Sequence, residues 1–147
     1  MSEIVYSPLY GKVISITQVN DEMFSEKMLG DGIAIIPREK EVYSPVSGVV
    51  SMIFETQHAI GLKTKSGQSV LIHIGIDTVE LKGKPFKTKV KVGDHVKQGD
   101  LLTVVDWKYI QKKGKDTVVP IVVMGKELKI IREEGNVKAG DPLFEIL

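Results

Sequence analysis

The chain contains no cysteine. That excludes disulfides, thiolate metal sites and a cysteine nucleophile, and it fits the cytoplasmic location expected here. Arginine is nearly missing too, occurring as Arg38 and Arg132 alone. With no GxxxxGK[ST] loop either, the sequence lacks the usual means of gripping a nucleotide phosphate. Aromatic residues are 6% of the chain and form no base-stacking row. Net charge is +1 and the lysines are dispersed, so nucleic acid is not an expected partner. No apolar run approaches the roughly 18–20 residues that span a bilayer, and no membrane insertion is expected. The opening Met1-Ser2-Glu3-Ile4-Val5-Tyr6 has no basic region followed by a long apolar run. Neither a signal peptide nor an amphipathic amino-terminal anchor is expected.

What is present suits one ordinary domain over residues 1–147, with 42% hydrophobic residues to build its core. Short β-branched runs recur at 13–17, 32–36, 48–54, 59–63, 69–74, 101–105, 117–124 and 129–131. Gly, Pro, Asn and Asp separate them, which is the spacing of an all-β sandwich or barrel. Helical stretches are expected only at 22–28 and 106–112. There is no strand–helix alternation of the kind a parallel sheet needs. The chain also repeats itself. Ser7-Pro8-Leu9-Tyr10-Gly11-Lys12-Val13 echoes Ser44-Pro45-Val46-Ser47-Gly48-Val49-Val50. Gly93-Asp94-His95-Val96-Lys97-Gln98-Gly99-Asp100 echoes Gly135-Asn136-Val137-Lys138-Ala139-Gly140-Asp141. The Val-Lys-x-Gly-Asp element suits a tight turn with glycine at positive φ. Two related halves imply a sandwich with approximate internal symmetry.

The richest stretch is Leu71-Ile72-His73-Ile74-Gly75-Ile76-Asp77-Thr78-Val79-Glu80-Leu81-Lys82-Gly83. Read as a strand, it puts Ile72, Ile74 and Ile76 on a core face and Leu71, His73, Gly75 and Asp77 on the other. An imidazole with a glycine gap and a carboxylate beside it is unusual for a solvated strand face. The three histidines differ in context. His95 lies in a polar turn and reads as an exposed turn residue. His58 alone reads as structural. About 15 residues before His73, however, is one hairpin away, with Ser66-Gly67-Gln68 as its turn. Such a hairpin sets the two rings side by side.

Two imidazoles support more than one chemistry. They bind metal when further ligands join them, and Asp77 is the candidate third. They also serve nucleophilic transfer, where one neutral ring attacks a phosphoryl group and the other donates to its oxygen. Thr56, two residues before His58, is placed to orient that second ring. Asp77 and Glu80 hold a free anion poorly but attract a basic partner protein. In Asn20–Gly32, the apolar Met23, Phe24, Met28 and Leu29 beside Asp21, Glu22 and Glu26 suit either core packing or docking of more than one partner.

"ETQHAIGL" around His58, "HIGIDTVELKG" from His73, "KMLGDGIAI" at 27–35 and "SPVSG" at 44–48 together resemble the glucose-type IIA phosphocarriers of the bacterial phosphoenolpyruvate:sugar phosphotransferase system. The similarity runs from about Tyr6 to the end. It implies a small antiparallel β-sandwich (a barrel-sandwich with short helical turns) whose histidine relays a phosphoryl group. The donor would be the histidine phosphocarrier protein, and the acceptor a cysteine on the IIB domain of a membrane sugar permease. The permease's membrane domain would choose the sugar. By resemblance, His73 accepts through Nε2, His58 stabilises the phosphoryl group, Thr56 supports His58, and Asp77 and Glu80 are the acidic neighbours. The implied docking surface is Asp21, Phe24, Met28, Leu29, Phe54, Ile60 and Leu71. No cofactor and no resident metal are implied, and a monomer is expected. On the residues alone, three alternatives remain: a zinc peptidase using His58, His73 and Asp77; a lipoyl- or biotinyl-like carrier, suggested by the Val-Lys-x-Gly-Asp turns; and a non-catalytic binding module.

Overall fold

A computed structural model of the chain describes residues 3–147. The strands are β1 (Glu3–Tyr6), β2 (Gly11–Ser15), β3 (Asp31–Pro37), β4 (Glu41–Tyr43), β5 (Gly48–Ile53), β6 (Ala59–Thr64) and β7 (Ser69–His73). They continue with β8 (Phe86–Thr88), β9 (His95–Val96), β10 (Leu101–Val105), β11 (Val119–Val123), β12 (Leu128–Ile130), β13 (Gly135–Val137) and β14 (Pro142–Ile146). Helices α1 (Glu22–Ser25) and α2 (Trp107–Lys112) are short, and 3₁₀ turns occupy Ile16–Gln18 and Thr78–Leu81. The fold is therefore all-β, as the sequence implied. Three sheets form, ordered β13-β2-β3-β11-β7-β6-β5-β9, β1-β14-β12 and β4-β10-β8. Their strand pairs are antiparallel.

The large sheet has apolar matter on both faces. One face packs Ile35, Leu62, Ile72 and Ile121 against Val5, Val42, Leu102 and Phe144 of the smaller sheets. The other face carries a second cluster of Ile16, Val19, Phe24, Ala34, Ile76, Val118 and Val122, with Leu29 and Leu71 partly buried against it. The first 3₁₀ turn and α1 supply its cover. This explains why all of β11 is buried: Ile121 and Val123 point to one cluster and Val122 to the other. Pro120 pairs with Ala34, whereas the ladder to β7 begins only at Ile121. The missing N–H therefore falls beyond the doubly paired part of the strand.

The duplication is physical. Ser7 N–H donates to the Asp141 carbonyl and Ser44 N–H to that of Asp100, each at 2.7 Å. Gly140 and Gly99 return the bond to the Ser7 and Ser44 carbonyls, each at 2.9 Å. Asp100 and Asp141 carboxylates accept from the amides of Lys97 (2.8 Å) and Lys138 (2.9 Å). A Cβ on Gly11 would lie 2.2 Å from the Ile36 carbonyl oxygen, and one on Gly48 2.1 Å from that of Lys63. Only glycine admits this strand approach, and both halves use it.

Three local expectations need correction. The helix expected over 22–28 ends at Ser25, because Lys27 takes φ 59° and the chain turns toward β3. The run from Leu71 is a strand only as far as His73. Gly75 (φ 80°) and Asp77 (φ 60°) then turn the backbone, and Ile76 enters the second cluster, not the one holding Ile72 and Ile74. Strands β1, β4, β8, β9, β13 and β14 fall outside the recurring runs, being short or, for β14, opened by Pro142. Matched turns predict matched losses. Asp100→Ala and Asp141→Ala should each cost about 1 kcal/mol in urea unfolding, and by similar amounts, because each frees one amide of the same turn.

Candidate functional site

Two hairpins bring the histidines together. β5 and β6 are joined by Phe54–His58, where Gln57 takes φ 61° and its N–H donates to the Phe54 carbonyl at 2.7 Å. β6 then pairs with β7 so that Ala59 faces His73. The ladder extends one step further, with Ile74 N–H donating to the His58 carbonyl at 2.7 Å. The two imidazole centroids end 5.0 Å apart at an interplanar angle of 77°. Phenylalanines close the row at both ends. Phe24 meets His73 edge-on at 5.0 Å, and Phe54 meets His58 at 4.9 Å. Four rings in succession thus hold both imidazoles in fixed planes.

Each ring is also fixed by its Nδ1. His73 Nδ1 lies 2.6 Å from the Gly75 carbonyl oxygen. A carbonyl only accepts, so the proton is on Nδ1 and the lone pair on Nε2. His58 Nδ1 lies 2.6 Å from Thr56 Oγ1, a pair in which either atom can donate. His58 is buried, and burial lowers its pKa from 6.5 to about 4, with repulsion from His73 adding to the effect. His73 is half-buried, and its pKa is lowered chiefly by desolvation. The bond to Gly75 opposes that shift, as do the charges of Asp21 and Asp77. Both rings are therefore neutral at neutral pH.

The other anticipated residues fall into distinct places. Asp21 caps α1 through Met23 N–H at 2.9 Å and acts electrostatically on His73. Asp77 precedes the second 3₁₀ turn in a left-handed conformation, its carboxylate making no cap hydrogen bond. Glu80 is exposed and pairs with Lys115 at 3.2 Å, which offsets part of its charge. Met28 and Phe54 are exposed, and Leu29 and Leu71 are partly buried. Two docking expectations need correction. Ile60 is 0% exposed, because its pairing with Ile72 turns it into the larger core. Phe24 is 2% exposed and packs in a T-shaped contact with His73, leaving almost no area for a partner. His95 is exposed as expected, but it lies in strand β9 and not in a turn. Among the described residues no three His, Asp or Glu side chains are gathered to hold a metal, so His58, His73 and Asp77 form no zinc set. A carbonyl fixing the tautomer of the attacking ring is expected from the chemistry, but no motif spells out that it belongs to Gly75. Asp21 is expected only at the docking surface, although an Asp-Glu pair opening a helix also marks the N-cap that Asp21 forms.

A duplicated antiparallel β-sandwich with paired neutral imidazoles on one face defines the class: a histidine-centred transfer or binding domain. The comparisons narrow it. Residues 3–129 match the family described as phosphoenolpyruvate-dependent sugar phosphotransferase system, EIIA 1, and the chain belongs to that family. Among solved structures it is similar to glucose permease IIA from Mycoplasma capricolum, at 41% identity and a TM-score of 0.93. That match covers 99% of this chain and 96% of the other. The protein is thus a sugar phosphotransferase-system component, and among its described residues no helix is long and apolar enough to cross a membrane.

The depressed His58 pKa has a thermodynamic consequence. The unfolded chain protonates this ring near 6.5 and the folded chain only near 4. As pH falls through that window the unfolded state binds the proton first, so stability declines. Between pH 7 and about pH 5 the loss from this ring should be about 2 kcal/mol. Urea unfolding of His58→Gln should show a correspondingly flatter pH dependence over the same range.

Proposed function

We propose that this chain is a phosphoryl carrier: His73 accepts the group from the histidine phosphocarrier protein and passes it to a cysteine on the IIB domain of a sugar permease. One hydrogen bond carries this reading, that of His73 Nδ1 to the Gly75 carbonyl. It leaves Nε2 as the nucleophile, and the lowered pKa keeps that lone pair free at neutral pH.

In the first step the Nε2 lone pair attacks phosphorus, and the donor's nitrogen–phosphorus bond breaks toward its own ring. His73 gains positive character while its Nδ1–H stays on Gly75. Asp21 and Asp77 favour that charge. In the second step a thiolate attacks phosphorus and the Nε2–P bond breaks, restoring the neutral ring. This chain has no cysteine, so the thiolate belongs to the partner. His58 is the electrostatic assistant. With the Thr56 hydroxyl donating to Nδ1, its proton sits on Nε2 and serves a phosphoryl oxygen. No cofactor enters either step.

Both partners need the same Nε2, so they use one overlapping surface in turn and bind weakly enough to leave. Met28, Leu29, Phe54 and Leu71 supply apolar area on the flanking segments, and Asp21, Asp77 and Glu80 favour a basic partner. In this reading the domain acts as a monomer on the cytoplasmic side of the relay.

Incubation with phosphoenolpyruvate, enzyme I and the histidine phosphocarrier protein should add one acid-labile, base-stable phosphoryl group, read by intact mass. His73→Ala should abolish it. His58→Gln should slow transfer by about 10²–10³-fold, the usual loss of one preorganised donor. Phosphorylation persisting in His73→Ala would contradict the assignment.

A further inference from the structure

We propose that Thr78 is a positioning residue for phosphoryl transfer, acting through the Ile74–Gly75 peptide to hold the His73 ring; the proposal rests on the carrier reading of His73. Thr78 is fully buried. Its hydroxyl donates to the Ile74 carbonyl at 2.6 Å. At the other end of the same peptide, Gly75 N–H donates to the Val118 carbonyl at 3.0 Å. The next peptide is held in the same manner. Its carbonyl, that of Gly75, accepts from His73 Nδ1 at 2.6 Å, and Ile76 N–H donates to the Asp116 carbonyl at 3.0 Å. Gly75, at φ 80°, is thus the joint between two peptides that are each fixed at both polar ends.

The direction of the Gly75 carbonyl follows from that joint. Glycine is conformationally permissive, so by itself it would not aim a carbonyl at one nitrogen. Three of the four restraints come from backbone groups or from His73 itself. Thr78 contributes the one restraint made by another side chain. Packing adds to the hydrogen bond: a Cβ on Gly75 would sit 2.5 Å from Thr78 Cγ2 and 2.9 Å from the Asp116 carbonyl oxygen. Thr78 therefore lies directly against the joint. The Ile74 amide meanwhile binds the His58 carbonyl at 2.7 Å, so the restrained segment is tied to the hairpin carrying the second imidazole. Removing the Thr78 hydroxyl frees the Ile74 carbonyl, lets the joint rotate and loosens the acceptor that keeps the His73 proton on Nδ1. Nε2 then spends part of its time protonated, and a protonated nitrogen is no nucleophile.

A threonine hydroxyl bonding back to the carbonyl four residues earlier is also a common structural device. A purely structural role would lower stability and leave the His73 tautomer alone, and this difference is measurable. In Thr78→Val, which keeps the shape and loses the hydroxyl, ¹⁵N spectra at neutral pH should show His73 moving from the Nδ1–H tautomer to a mixture. Transfer from the phosphorylated histidine phosphocarrier protein should fall about tenfold or more at unchanged KM. Thr78→Ser, which keeps the hydroxyl, should retain both properties. An unchanged tautomer in folded Thr78→Val, or equal damage from Thr78→Ser, would overturn the proposal. Should Thr78→Val not fold, the wild-type chain decides: its Thr78 hydroxyl proton must exchange slowly and couple to the Ile74 carbonyl carbon, and a freely exchanging proton refutes the clamp. The tautomer measurement needs no phosphoryl donor. It therefore stands even if His73→Ala proves the carrier reading wrong.

Discussion

The hydrogen bond from His73 Nδ1 to the Gly75 carbonyl, 2.6 Å long, is the constraint on which the site depends. An imidazole free to choose its tautomer would offer either nitrogen to an incoming phosphorus atom. A carbonyl acceptor removes the choice, because it has no proton to give. The strand ends at His73 so that the chain can turn back at Gly75 and supply that acceptor. Ending the ladder there also frees Ile76 to join the second cluster, whose Phe24 makes a T-shaped contact with the His73 ring. One break in strand geometry thus sets the tautomer, the ring plane and the packing above the sheet.

Burial and charge act in opposition around this ring. Desolvation holds the imidazoles neutral, which a nucleophile requires. Asp21 and Asp77 pull the other way, and in the proposed transfer they would favour the positive ring. In the proposed relay, the same opposition would let a phosphohistidine form at this ring and still be passed on. The second imidazole, deeper and harder to protonate, is suited to donating a hydrogen bond while staying uncharged.

Much of this was legible in the sequence. The β-branched runs and their Gly, Pro and Asp separators gave an all-β fold, and the repeated turns appear as matched hydrogen bonds at Ser7 and Ser44. The hairpin spacing between His58 and His73 anticipated their contact, since Ser66-Gly67-Gln68 does close the β6–β7 turn. Period-two reasoning failed beyond Ile74. The alternation Ile72, Ile74, Ile76 is kept in the sequence, but a second apolar cluster on the far face was also available to Ile76. The same two-sided burial hides Phe24, and pairing with Ile72 hides Ile60, so neither apolar residue is a surface contact. The Gly75 carbonyl was illegible because every residue has one, and only its direction makes it functional.

The most direct test is the site of attachment. Nuclear magnetic resonance of the ¹⁵N-histidine-labelled, phosphorylated chain reads nitrogen–phosphorus coupling at each ring nitrogen. The coupling should appear at Nε2 of His73, with Nδ1 still carrying its proton. Coupling at Nδ1, or at His58 or His95, would contradict the claim that the Gly75 carbonyl selects the nucleophile.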